Sequence, residues 1–119
     1  MSRRPAINDA EPHIVTSHGA DFFGQDRHPL KDVAELAPWV SNSVSFYDRG
    51  TVSWLVRALE RPEARTIPAA DVALVAELLL KISRSRGLKP KHAAVARLLA
   101  DAATRAAADG EPWEWTTAA

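Results

Sequence analysis

The sequence predicts a mainly α domain of the α+β type: four helices, with a small two-stranded sheet pairing the segments near the two termini. Three features predict it. Four stretches repeat their apolar residues at helical spacing, a short β-branched segment lies near the start, and an extended tryptophan-bearing segment closes the chain. At 119 residues the chain has the length of one domain, and a domain of that size can bury roughly two-thirds of the surface its unfolded chain exposes. Residues 1–12 are polar and punctuated by proline, so they read as a flexible N-terminal extension, with a single helical domain over 13–119.

Taken in order, His13-Ile14-Val15-Thr16-Ser17-His18 is β-branched, stops at Gly19, and reads as the first strand. Gly19 to His28 follows as a loop, with glycines and aspartates surrounding Phe22 and Phe23, a pair expected to plug the loop onto the core. Pro29 suits the first turn of a helix that carries Val33, Leu36, Ala37 and Val40 on one stripe. Pro38 should kink or end that helix near Ala37. The second helix begins near Asp48 to Thr51, carries Val52, Leu55, Val56 and Leu59, and ends at Pro62.

Ile67-Pro68 opens the third helix. Its apolar arc (Val72, Val75, Ala76, Leu79 and Ile82, widened by Leu78 and Leu80) is broad enough to meet neighbours on more than one side, and Gly87 is expected to end it. The fourth runs from Pro90 to Asp109, with Gly110 just past its end and Val95, Leu98, Leu99, Ala102 and Ala106 as the buried stripe. In Glu111-Pro112-Trp113-Glu114-Trp115-Thr116 the two tryptophans are two apart and share a face of an extended segment, which needs a partner; Ile14 to His18 is the comparable segment.

Composition excludes several chemistries. There are no cysteines, which removes disulfides, thiolate metal sites and cysteine nucleophiles. Fifteen basic and fifteen acidic residues cancel, unlike a surface built wholly for nucleic acid or anionic lipid. Arg3 and Arg4 are followed by Asn8, Asp9 and Glu11 instead of an apolar stretch, so no secretory leader is expected, and the Val72 to Leu80 stretch contains Glu77 and reads as a core helix instead of a membrane span. A cytoplasmic setting follows as the expectation.

Ser17-His18-Gly19-Ala20-Asp21-Phe22-Phe23-Gly24-Gln25-Asp26-Arg27 and Gly110-Glu111-Pro112-Trp113-Glu114-Trp115 resemble the motifs SHGxDFFGxDR and GEPWxW of an uncharacterised family of small actinobacterial proteins. The resemblance covers most of the chain from His13 onward, with Ile67-Pro68 as an intermediate match. It implies a bacterial, cytosolic protein and supplies no substrate, cofactor or catalytic residue.

The densest set of metal-ligand types is His18, Asp21, Asp26 and His28, but the two histidines are ten apart and outside any helix, so the set lacks the spacing of a known motif. The same aspartates also suit turn capping. Asp21 with Asp26 could form an acid–base pair, and His18 could act as a base beside Ser17 or Ser41, yet no nucleophile elbow, phosphate loop or dinucleotide fingerprint accompanies them. Lys81, Arg84, Arg86, Lys89, Lys91 and His92 form a basic run between the last two helices, with Arg84, Arg86, Lys89 and Lys91 as the candidate binding residues. They could meet phosphate, or they could be solvated charge at a helix end. The four tryptophans, Trp39, Trp54, Trp113 and Trp115, could line an interaction surface or fill the core.

The expectation is a non-enzymatic cytosolic protein-binding or adaptor module, with no cofactor, no membrane contact and another protein as its partner. A nucleic-acid-binding accessory protein using Lys81 to Lys91 is the alternative. A metal-dependent enzyme centred on His18, Asp21, Asp26 and His28 is the third reading.

Overall fold

The computed structural model describes residues 12–42 and 49–118. The extension read over 1–12 lies outside the described residues except for Pro12, as does Asp48. The elements in chain order are β1 (His13–Ser17), β2 (Gln25–Pro29), α1 (Leu30–Ala34), α2 (Ala37–Asn42), α3 (Arg49–Glu60), β3 (Arg65–Ile67), α4 (Ala69–Ser83), α5 (Pro90–Asp109) and β4 (Trp113–Ala118). Among the described residues no helix is long and apolar enough to cross a membrane.

An α+β fold is present, but its sheet has four antiparallel strands in the order β2-β1-β4-β3, where two were expected. The expected pairing of the two end segments forms its centre: Ile14 faces Thr117 and Thr16 faces Trp115. The additional strands are the two edges. Gln25–Pro29 has no β-branched residue and becomes a strand because the hairpin register sets it beside β1, Thr16 opposite Asp26 and Ile14 opposite His28. Arg65–Ile67 is only three residues long and pairs with β4, Ile67 opposite Trp113; short edge strands of this kind offer little template for unwanted pairing.

Cross-strand partners share a face, so the inner face carries Asp26 and His28, Ile14 and Thr16, Trp113 and Trp115, and Arg65 and Ile67. Trp113, Trp115, Ile14 and Ile67 are fully or almost fully buried and belong to one core with the helices. The tryptophan tail is therefore core, as its period of two implies, with Glu114 and Thr116 exposed between and after the buried rings. Trp39 and Trp54 pack against the rim of the same core.

The helices follow the apolar stripes with local corrections. Val33, Leu36, Ala37 and Val40 are all buried, yet the helix that carries them breaks after Ala34, and Pro38 stands in the first turn of α2, where a missing N–H costs nothing. Pro29 ends β2 and serves as the N-cap of α1, and Pro68 does the same for α4. α4 stops at Ser83, earlier than Gly87 suggested: the Ser83 hydroxyl donates to the Leu80 carbonyl at 2.6 Å, and Gly87 (φ 93°) turns the chain four residues later.

α5 spans Pro90–Asp109 with Gly110 left-handed at its end (φ 68°), as expected. Its buried face loses one expected residue and gains three. Leu98 is 40% exposed, while Ala96, Ala100 and Ala103 are buried. At about 100° per residue, a stripe centred between residues 95 and 96 carries 99, 102, 103 and 106 inward and leaves 98 at its margin. The small alanine face lets α5 approach α4 closely, and these two helices form the most extensive contact between elements.

Candidate functional site

The β1–β2 loop is built from its own polar groups. Asp21 Oδ1 accepts the N–H groups of Phe23 (2.8 Å) and Gln25 (2.7 Å), and Asp26 Oδ1 accepts that of Ala20 (3.0 Å). Backbone bonds close the neck: Gly19 N–H donates to the Gly24 carbonyl, Asp21 N–H to that of Gln25, and Gly24 N–H to that of Asp21. Both aspartates therefore act as turn-formers, the Asx-type role their residue class favours.

Phe22 and Phe23 sit on this braced loop at 95% and 79% exposure, edge to face with ring centroids 5.2 Å apart. This overturns the expected plug. The turn that Asp21 organises directs both rings to solvent, and they touch each other while the core is closed beneath by Trp113 and Trp115.

The base of the loop is a corner where the two ends of the domain meet. Antiparallel pairing of β1 with β4 brings the residue after β1 beside the residues before β4. His18, in the left-handed region (φ 60°), places Nε2 2.7 Å from Glu111 Oε1 and 3.9 Å from Asp109 Oδ2. Its Nδ1 lies 2.8 Å from Ser17 Oγ, which accepts the Glu114 backbone N–H at 3.0 Å. The neutral ring satisfies every partner when the Ser17 hydroxyl donates to Nδ1 and Nε2–H donates to Glu111. From α5, Arg105 donates to the His18 carbonyl at 2.8 Å, and Trp113 Nε1–H donates to the Ser17 carbonyl at 3.0 Å. A left-handed non-glycine residue costs about 1 kcal/mol or more, and these contacts hold it there.

Of the residues singled out from sequence, the structure keeps His18 and Ser17 together and sets Asp26 and His28 on one face of β2. Asp21 belongs to the loop, Asp26 stands near the start of β2 with Oδ1 holding the Ala20 N–H, His28 is buried on the same strand, and Ser41 is on α2. The partners that His18 does take, Asp109 and Glu111, were not among the candidates. The signal for them was the proposed pairing of the end segments, which already implied that His18 and Glu111 would be neighbours.

His28 is 3% exposed, and its Nε2 has no hydrogen-bond partner among the described residues. Burial lowers its pKa below the ordinary 6.5, against the pull of Asp26 and Asp32 and with a contribution from His13. The unfolded chain thus takes up this proton near the ordinary value while the folded chain resists it, so the stability owed to neutral His28 is complete above about pH 6.5 and declines below it, at up to about 1.4 kcal/mol per pH unit. Urea melts between pH 7.5 and 5 are expected to show a steeper acid loss in wild type than in His28→Gln. Parallel profiles would remove His28 from this role.

The basic stretch is divided. Arg84 caps α4, and Arg84, Arg86 and Lys89 are exposed. Lys91 Nζ is 3.4 Å from the buried carboxylate of Asp32, with His92 Nε2 3.8 Å from the same oxygen. Lys89 borders a cleft of about 230 Å³ shared with Lys31, Asp32, Glu35 and His92, so acidic groups stand among the cations.

Fold and corner together define a small α+β domain whose antiparallel sheet carries a braced, phenylalanine-tipped hairpin. The chain belongs to the family of the domain of unknown function DUF7739, whose model matches residues 19–116. That span includes the loop from Gly19, Asp109, Glu111 and both buried tryptophans of β4, and begins one residue after His18. No curated protein and no solved structure matches the chain.

Proposed function

We propose that this protein is a non-enzymatic binding module of the actinobacterial cytoplasm that docks on another protein through Phe22 and Phe23. The observation that carries the reading is the pairing of near-complete exposure with a loop tied by its own hydrogen bonds. Two phenyl rings in water forgo about 1.5–3 kcal/mol each relative to full burial, and a loop already ordered loses little entropy when it docks. Exposed Asp21, next to Phe22 in the loop, adds one carboxylate beside the rings. The fitting partner surface is therefore an apolar pocket on a protein, with a basic group placed to meet Asp21. The alternative surface for nucleic acid, Arg84, Arg86, Lys89 and Lys91, is weakened by the carboxylates of Asp32 and Glu35 close to its second half.

A photoreactive phenylalanine analogue at position 22 tests the docking. The expected result is one crosslinked protein, competed away by excess wild-type chain and not by the Phe22→Ser/Phe23→Ser double variant. That variant should keep its stability within about 0.5 kcal/mol, because surface changes away from structural features cost little. Equal competition by the double variant would overturn the proposal, and a crosslink only to a second copy of the chain would reassign the tip to self-association.

A further inference from the structure

We infer that His18, Asp109 and Glu111 form a zinc site at the corner beneath the loop. One ligand atom from each, an imidazole nitrogen and two carboxylate oxygens, can be chosen so that all lie within 4.8 Å of one another. Tetrahedral zinc with bonds of about 2.0–2.2 Å sets its ligands about 3.3–3.6 Å apart. The observed separations from His18 Nε2, 2.7 Å to Glu111 and 3.9 Å to Asp109, bracket that spacing. Both carboxylate side chains are more than half exposed, at 58% and 60%, so small rotations reach it and a solvent-facing position remains for water.

A second observation lies outside the ligand set. A metal-bound histidine has its other ring nitrogen held by a partner that fixes the ring, and Ser17 Oγ holds His18 Nδ1 in that way at 2.8 Å, itself fixed by the Glu114 N–H. Serine is suited to the change of state. Without metal its hydroxyl donates to Nδ1 and Nε2–H donates to Glu111. With zinc on Nε2, that proton leaves to solvent, one is taken from solvent at Nδ1, and the Ser17 oxygen accepts Nδ1–H beside Glu114 N–H while its own hydroxyl proton turns away from the ring, so the ring stays neutral and Nδ1 stays held.

Charge points the same way. One imidazole N–H serves two carboxylates. Arg105, four residues before Asp109, donates to the His18 carbonyl, and no ion pair of Arg105 with Asp109 is found among the described residues. With Arg105 counted and the ring neutral, the corner has a net charge of −1, which favours a cation. The nitrogen ligand selects zinc over magnesium or calcium, which prefer oxygen alone.

This inference does not depend on the docking proposal, and either can fail alone. The test is calorimetric titration of the full chain with zinc chloride, alongside long-range 1H–15N spectra of the histidine rings. One equivalent is expected to bind, with magnesium failing to compete and the His18 Nε2 resonance moving to a metal-bound position while Nδ1 carries the proton. His18→Asn, chosen because asparagine tolerates the left-handed backbone, and Glu111→Gln should each weaken binding at least about tenfold, Ser17→Ala by about tenfold through loss of the ring's support. Asp101→Asn, a carboxylate on the same helix paired with Arg97, should change nothing. Absence of saturable binding, or binding that survives both His18→Asn and Glu111→Gln in folded protein, would overturn the site.

Discussion

Replacing Trp113 by alanine is expected to remove about 3–5 kcal/mol of stability. Trp113 is fully buried at the start of β4, opposite Ile67 and edge to face with Trp115 at a centroid distance of 5.5 Å. Its Nε1–H also donates to the Ser17 carbonyl at 3.0 Å. The variant therefore leaves a large cavity under the sheet and removes one of the bonds that tie the end of β1 to β4. A loss of that size is a large part of the total for a small domain, which is about 5–15 kcal/mol. Urea unfolding should show the midpoint falling sharply, with the slope unchanged if cooperativity survives. A loss below about 1 kcal/mol would mean that β4 is not part of the core.

The second large effect is expected at Gly19. It closes the neck of the hairpin by donating to the Gly24 carbonyl. A Cβ there would lie 2.2 Å from the Gln25 carbonyl carbon, 2.3 Å from the Asp26 nitrogen and 2.6 Å from the Gln25 oxygen. Those are backbone atoms, which cannot swing aside as a side chain can. Gly19→Ala must therefore open the neck, breaking the bonds that orient Phe22 and Phe23 and shifting the β1–β2 register at its end. We expect a loss of about 2–4 kcal/mol, in the range of overpacking with a broken hydrogen-bond network, together with loss of crosslinking from position 22. Gly24→Ala is the informative comparison. Its Cβ would meet nothing within 4 Å, and its cost comes only from the left-handed φ of 73°, so it should be about 1 kcal/mol. Equal costs for the two would show that the close approach at Gly19 is absent.

Sequence alone discloses those parts whose signals are local and repeated. α5 is bounded as read because Pro90 and Gly110 act through their own backbones, and Trp113 with Trp115 gives the inward face of β4 because strand side chains alternate. The pairing of β1 with β4 followed from there being two extended segments in need of partners. The edge strands were not legible. Gln25-Asp26-Arg27-His28-Pro29 has the composition of a loop and is extended only because β1 lies beside it, and Arg65 to Ile67 is too short to show a period. The direction of Phe22 and Phe23 was not legible either, since two adjacent apolar residues in a turn fit a plug and an exposed tip equally. Which way they face is decided by the two bonds to Asp21 Oδ1. His18 was singled out with the wrong partners because proximity along the chain favoured Asp21 and Asp26, whereas strand pairing delivers Asp109 and Glu111 from the far end.

The function proposed for this chain requires that residues 19–25 form a fixed platform before any partner arrives. Backbone 15N relaxation of the free protein measures this directly. Order parameters of about 0.85, those of rigid backbone, are expected for Ala20 through Gln25, level with the neighbouring strands. Values below about 0.6 across Phe22 and Phe23 would show two rings on a floppy loop, and the account of a preformed docking tip would be wrong.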